Sequence, residues 1–484
     1  MDMADAYLMH IAGEWVPSES GATFDAVSPS TGEVIGSVPE GTREDARRAI
    51  ASAGDAAPAW ARLSPFDRAS AMERIASEID RRRDDLARTL AVDQGKPLEA
   101  EARDEVEELI TYFSMAAADT RRMDGLMPPS VDGNKRVLVE RIPRGVAAVI
   151  SPWNWPYTMP AEILAPALAY GNAIVWAAAP TTSVCAVKLA ECVAAADLPA
   201  GVFNLLTGPG AVVGDEIAVN PGTHVVGFIG SIATGHRVAE RAAGKELLLE
   251  MGGNGPLVVL EDADLDKAVS ATLVACFLNA GQSCTAGERI LVHERVHDEY
   301  VELLQKAVAA EIHLGDPLDD ETTMGPLNNA PTADKTERHV SEAVSAGALV
   351  VTGGSREASL GSDLFFDATV LDGVTDEMEI AREETFGPVV PVSVISGEEE
   401  ALRIVNESPY GLLSAVFTRD LGRGLRFAES VRTGWVNVNE GTNYWESHLP
   451  FGGRAGSRSG VGRVGGPFSM ERLTELKTIV IDLG

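Results

Sequence analysis

The sequence predicts an α/β protein of two lobes, each a largely parallel sheet flanked by helices, with a small β arm beside them. Three observations lead there. Apolar runs of strand length alternate with longer amphipathic runs along most of the chain. The alternation restarts after Gly253. Two extended stretches broken by Gly and Pro, 121–145 and 469–484, fit neither series.

In chain order, Thr42 with Asp45 three residues on, in TREDARRAI, forms a capping-box pattern and predicts a helix running toward Trp60. The first series then reads as strand GVAAVIS (145–151), helix TSVCAVKLAECVAAA (182–196) and strands GVFNLL (201–206), VVGFIG (225–230) and ELLLE (246–250). Next come strand PLVVL (256–260), helix DLDKAVSATLVACFLN, strand RILVH and helix VHDEYVELLQKAVAAEI. Residues 1–123 and 145–252 are expected to form one lobe, 253–450 the second, and 124–144 with 467–484 the arm. Exposed strand edges need a partner, so the arms are expected to pair across subunits in a homodimer or homotetramer.

A hydrophobic share of 45% and a charged share of 23% are ordinary for a folded chain. The net charge of −32, from 72 acidic against 40 basic residues, repels nucleic acid and anionic membranes, and neither is expected as a partner. The opening MDMADAYLMHIAGEW lacks the basic and apolar regions of a secretion signal. No apolar run approaches the roughly 18 residues of a membrane span. The expected compartment is the cytoplasm.

The four cysteines include no C-x-x-C pair, so neither a disulfide framework nor a metal site is expected. Cys185, Cys192 and Cys276 lie in apolar helical runs and read as buried hydrophobes. Cys284 differs. In NAGQSCTAGERI it stands among small and polar residues that leave its sulfur accessible, as a nucleophile requires.

Other stretches supply partners for such a thiol. In LLLEMGGNGP, Glu250 closes a strand before Gly252, as a general base or as a solvated strand-end carboxylate. In SPWNWPYTMP, Pro152 and Pro156 stiffen a loop that offers the Asn154 amide to an oxyanion, or whose Trp153 and Trp155 plug a core. FIGSIATG places Gly230 and Ser231 between a strand and a helix with Gly235 in its first turn, an approach for a pyrophosphate that is not G-x-G-x-x-G. EETFGPV (383–389) sets an acidic pair before Phe386.

The order of these stretches, with NESPYGLLSAVFT, GWVNVN, PFGG and TELKT, resembles the NAD(P)-dependent aldehyde dehydrogenase superfamily from about Tyr7 to the C-terminus. The resemblance implies that Cys284 attacks the aldehyde carbon and that Asn154 and the Cys284 N–H hold the oxyanion. Hydride transfer to the nicotinamide would leave a thioester, which water activated by Glu250 would hydrolyse. Glu384 would bond the nicotinamide ribose, Phe386 would pack near the ring, and Gly230 and Ser231 would meet the pyrophosphate. Pro152, Trp153, Gly235, Met251 and Gly252 would complete the cofactor site. The implied fold is a pair of Rossmann-like lobes with a β oligomerisation arm.

Departures bear on specificity. The usual Lys and Glu of the adenosine-ribose segment are Ala177 and Pro180, which favours NAD, while loss of the acid also removes a repulsion and admits NADP. Ile232 and Asn254 replace a usual Thr and Lys. Trp155, Met159, Glu162, Ser283, Thr285, Tyr444 and Trp445 are expected around the aldehyde, with Glu446 and His448 near its entrance. Aromatics beside Glu162 suit a cationic aminoaldehyde, and Arg454 and Arg458 suit a semialdehyde carboxylate. A coenzyme A-acylating relative is disfavoured by Glu250, and a non-catalytic one by the intact set of Asn154, Glu250 and Cys284.

Overall fold

A computed structural model describes residues 5–484; residues 1–4 of the expected first lobe lie outside the described residues. Five parallel strands form the centre of the first sheet, in the order Glu246–Met251, Val225–Gly230, Val146–Ile150, Ala173–Ala177, Phe203–Leu206. Their near-continuous apolar sequences follow from burial on both faces. The first strand in sequence, Val146–Ile150, pairs with the second and fourth, so the chain reverses direction between it and Val225–Gly230. In doubly wound sheets a ligand crevice opens at that reversal, beyond the strands' carboxyl ends.

The second sheet runs Leu349–Thr352, Thr369–Asp372, Val389–Ile395, Gly287–His293, Gly255–Val259, Leu413–Phe417, Trp435–Val438, parallel except at its first strand. Only Gly252, Gly253 and Asn254 link strand Glu246–Met251 to strand Gly255–Val259. The carboxyl edge of the first sheet therefore adjoins the amino edge of the second.

The Thr42 cap is formed: its hydroxyl accepts from the Asp45 N–H at 3.1 Å and starts helix Arg43–Ala61. That helix reaches Trp60, whose indole N–H donates to the Leu168 carbonyl at 2.9 Å. Cys185, Cys192 and Cys276 are buried, as their surroundings predict.

Several features depart from the pattern read in the sequence. Strands Met9–Ile11 and Glu14–Val16 extend one side of the first sheet in antiparallel fashion, and Gly460–Val461 closes the other against Leu249 and Glu250. Helices Pro65–Arg81 and Arg103–Thr120 pack against the first lobe through small and apolar positions. Strands Lys135–Pro143 and Thr474–Asp482, the two expected arms, pair with each other within one chain. Both strands are 9 residues long, in a register from Thr474 opposite Pro143 to Asp482 opposite Lys135. Among the described residues no helix is long and apolar enough to cross a membrane.

Candidate active site

The turns leaving Val146–Ile150 and Val225–Gly230 meet the linker after Glu246–Met251 and the segment before Gly287–His293 around a cavity of about 280 Å³. Cys284, Glu250 and Asn154 all line it. Residues separated by more than a hundred positions thus face one space. Asn154 is buried and donates one amide hydrogen to the Gln282 carbonyl at 3.0 Å. A side-chain amide carries two such hydrogens, so one remains for the cavity.

Glu250 is 3% exposed, and its Oε1 has no hydrogen-bond partner. Burial raises its carboxyl well above the usual range and Glu162 adds to this, while a hydrogen bond from the Cys284 thiol opposes it. The Cys284 thiol is also raised, first by burial and then by Glu250, Glu384 and Glu162. Both groups therefore hold a proton more tightly than usual in this buried setting.

Gly230 and Ser231 form one wall of the cavity with Pro152 and Trp153. Ser231 caps helix Ile232–Arg241, leaving that helix's first N–H groups near the crevice. Across from them, Glu384 accepts from the Gly253 N–H at 2.9 Å, and burial first, then Glu288, lifts its carboxyl to about 8 against the pull of Lys335. A side chain at Gly252 would meet the Glu384 oxygens at 2.6 Å, so glycine there keeps the cleft open and the carboxylate in place. Phe386 adopts φ of +63°, fixed by Glu288 accepting from the Thr385 and Phe386 N–H groups, and its ring meets Trp153 edge-on at 5.6 Å. A helix terminus, a close glycine, aromatic walls and a carboxylate placed for hydroxyls fit a nicotinamide dinucleotide.

Beyond Cys284 the cavity narrows into a passage lined by Trp155, Met159, Glu162, Ser283, Thr285 and Trp445. Five other expected residues lie elsewhere. Gly235 and Met251 meet beneath helix Ile232–Arg241, where a Cβ on Gly235 would strike the Met251 sulfur, so they pack that helix on the sheet and do not line the cavity. Tyr444 is 49% exposed and donates to Glu446 at 2.9 Å on the outer surface. Arg454 and Arg458 are exposed, and Arg458 borders a cleft with Lys335 and Arg338 away from the passage. Sequence reasoning missed Asn329, Thr332 and Lys335, which face the cavity one helical turn apart, and Asn443 and Phe451 in the passage.

A doubly wound sheet whose crevice holds a thiol, a carboxyl and an amide beside a dinucleotide cradle has the form of a dinucleotide-dependent oxidoreductase. Residues 15–479 match the Aldehyde dehydrogenase family, and the chain belongs to it. Succinate-semialdehyde dehydrogenase [NADP(+)] of Escherichia coli is 38% identical over 98% of this chain and 97% of its own. Betaine aldehyde dehydrogenase of Bacillus subtilis is 37% identical over 97% and 96%. The crystal structure of succinate-semialdehyde dehydrogenase from Burkholderia pseudomallei superposes with a TM-score of 0.95 at 37% identity, covering 98% of both chains. The chain is accordingly an NAD(P)-dependent enzyme that oxidises an aldehyde.

Proposed function

We propose that Cys284 is the nucleophile, Asn154 and the Cys284 N–H the oxyanion donors, and Glu250 the base of an aldehyde dehydrogenase that releases a free carboxylic acid. The observation carrying this reading is that all three side chains line one cavity beside a dinucleotide cradle. The Cys284 sulfur adds to the aldehyde carbon, and the free Asn154 hydrogen meets the resulting oxyanion. Gly230, Ser231 and Glu384 would hold a nicotinamide dinucleotide, which would supply the hydride acceptor for oxidation of the Cys284 adduct to a thioester. Glu250, with one oxygen unpaired, then takes a proton from water, and the hydroxide equivalent displaces the Cys284 thiolate as acid is released.

NAD is the proposed cofactor, with NADP admitted. Ala177 is buried and Pro180 exposed, so neither a cation for a 2′-phosphate nor an acid against it stands at those positions. A cytoplasmic location, the domain limits read from the sequence and a homodimeric or homotetrameric assembly through the arm belong to the same proposal. The relatives' names range from succinate semialdehyde to betaine aldehyde at nearly equal identity, so identity does not select the substrate.

The test is cofactor reduction, followed by absorbance, with aliphatic, aromatic, amino- and carboxy-terminated aldehydes, each with NAD and NADP and without coenzyme A. Reduction with release of free acid is the expected result. Turnover only when coenzyme A is present would remove Glu250 from the base role.

A further inference from the structure

We propose that the passage is built for an aldehyde carrying a protonated amine, and that Glu162 is the group that meets it; this rests on the dehydrogenase reading above. Glu162 sits in helix Thr158–Ala169 and is 2% exposed. Its Oε1 accepts from the Tyr112 hydroxyl at 2.7 Å, whereas its Oε2 is buried with no partner. An unsatisfied buried carboxylate oxygen is costly unless a ligand completes it. The free oxygen belongs to a residue that lines the same passage as the Cys284 sulfur, so a substrate bound to the sulfur brings its far end within the carboxylate's surroundings.

The walls favour a cation over an anion or a plain alkyl chain. Trp155, Trp445 and Phe451 line the passage, and the Trp445 ring lies tilted against Tyr112 at 6.4 Å and Phe451 at 5.8 Å between ring centroids. Aromatic faces around a carboxylate attract ammonium groups. Glu162 also borders an adjoining cleft that holds Asp119, which extends the acidic lining outward. Among the described residues, neither space is lined by Lys, Arg or His. Lys96 lies beneath the Trp155 ring, 3.1 Å from its centroid, but is fully buried and neutralised by Glu105 at 2.5 Å. A substrate carboxylate would find no cation here. The small bore suits an unbranched chain.

The experiment compares kcat/KM for 3-aminopropanal, its methyl isostere butanal, 3-hydroxypropanal and succinate semialdehyde in the unmodified enzyme and in Glu162→Gln. The aminoaldehyde should exceed butanal by ~10-fold or more, the worth of one charge-assisted hydrogen bond. In Glu162→Gln that ratio should collapse toward unity, whatever happens to the absolute rates. Asp119→Asn, at a partly exposed position, should lower the same ratio by a smaller factor. Equal use of aminoaldehyde and butanal, preference for the hydroxy- or carboxy-aldehyde, or a ratio unchanged in Glu162→Gln would each overturn the proposal while leaving the dehydrogenase intact. Failure of every aldehyde, butanal included, would overturn the dehydrogenase reading and this proposal with it.

Discussion

At the level of single residues the site is a problem in proton placement. Glu250 and Cys284 each bind a proton more tightly than usual, because burial disfavours both charged forms and Glu162 and Glu384 surround them. Their reactive forms are the carboxylate and the thiolate. Since both folded-state values are raised, those forms gain population as pH climbs, and kcat/KM should keep rising with pH above the range in which an ordinary carboxyl or thiol would already have titrated. Replacing Glu250 by Gln removes the base but keeps the shape. Acid release should fall by roughly 10²–10⁴-fold, while a first turnover of cofactor reduction persists as a burst with a thioester on Cys284 detectable by mass. Cys284→Ala should lose both burst and turnover, by on the order of 10⁴-fold or more, with its circular dichroism spectrum preserved. Retention of substantial turnover by Cys284→Ala would end the mechanism, and an unchanged steady-state rate in Glu250→Gln would end that residue's part in it.

At the level of elements, the turn that delivers Cys284 is held by distant parts of the chain. Helix Leu265–Phe277 ends in a turn where Asn279 and Ala280 take φ of 54° and 53°, left-handed values that cost energy for residues with a Cβ. The Asn279 N–H donates to both Glu101 oxygens, at 2.9 and 3.1 Å, and its side-chain oxygen accepts from Gln94 at 2.9 Å. Its side-chain N–H groups donate to the carbonyls of Asn154 at 2.7 Å and Gln282 at 3.2 Å. One asparagine thereby fixes the thiol's turn relative to the oxyanion loop. Glu101→Ala should free that turn and lower kcat by ~10–100-fold, as small misplacements of reacting groups do, with cofactor affinity by fluorescence titration within about twofold of the parent. A parallel loss of kcat and cofactor affinity would make Glu101 a general support of the lobe instead. None of this clamp was legible in the sequence: the charged run EAEARDEVEEL carries no mark that Glu101 and Glu105 are buried, and their partners are either far away in sequence or, like Lys96, unremarkable in type. What was legible has local causes. Strand Val225–Gly230 and helix His297–Glu311 carry unbroken periodicity, Thr42 and Asp45 write a cap in four residues, and Cys284 and Gly252 betray access and close approach through their small neighbours. Lys335 stayed hidden because the polar side of helix Ala330–Ser345 looks the same whether it faces solvent or a cavity.

At the scale of the whole molecule, the β ribbon is the part that the single chain leaves unfinished. A two-stranded ribbon is marginal in water without a surface to pack on. Along Thr474–Asp482 the side chains alternate faces, so Leu476 and Val480 share one, opposite Arg141 and Val137, and both are exposed. Leu126 and Met127 add exposed apolar area nearby, where residue 126 bridges Val139 of the ribbon. Such a patch on a chain of net charge −32 is poorly explained by solubility and well explained by cover from another subunit. Because each copy carries the same ribbon, a two-fold axis in the proposed assembly would satisfy both patches at once, and two such pairs would give a tetramer. The unmodified protein should scatter light as a dimer or tetramer at micromolar concentration, and Leu476→Asp with Val480→Asp should shift it toward monomer by desolvating carboxylates against the partner. Since the catalytic cavity is complete within one chain, the dissociated variant should still bind cofactor. A monomeric parent would refute assembly through the ribbon, and a variant that stays oligomeric would place the contact on another face.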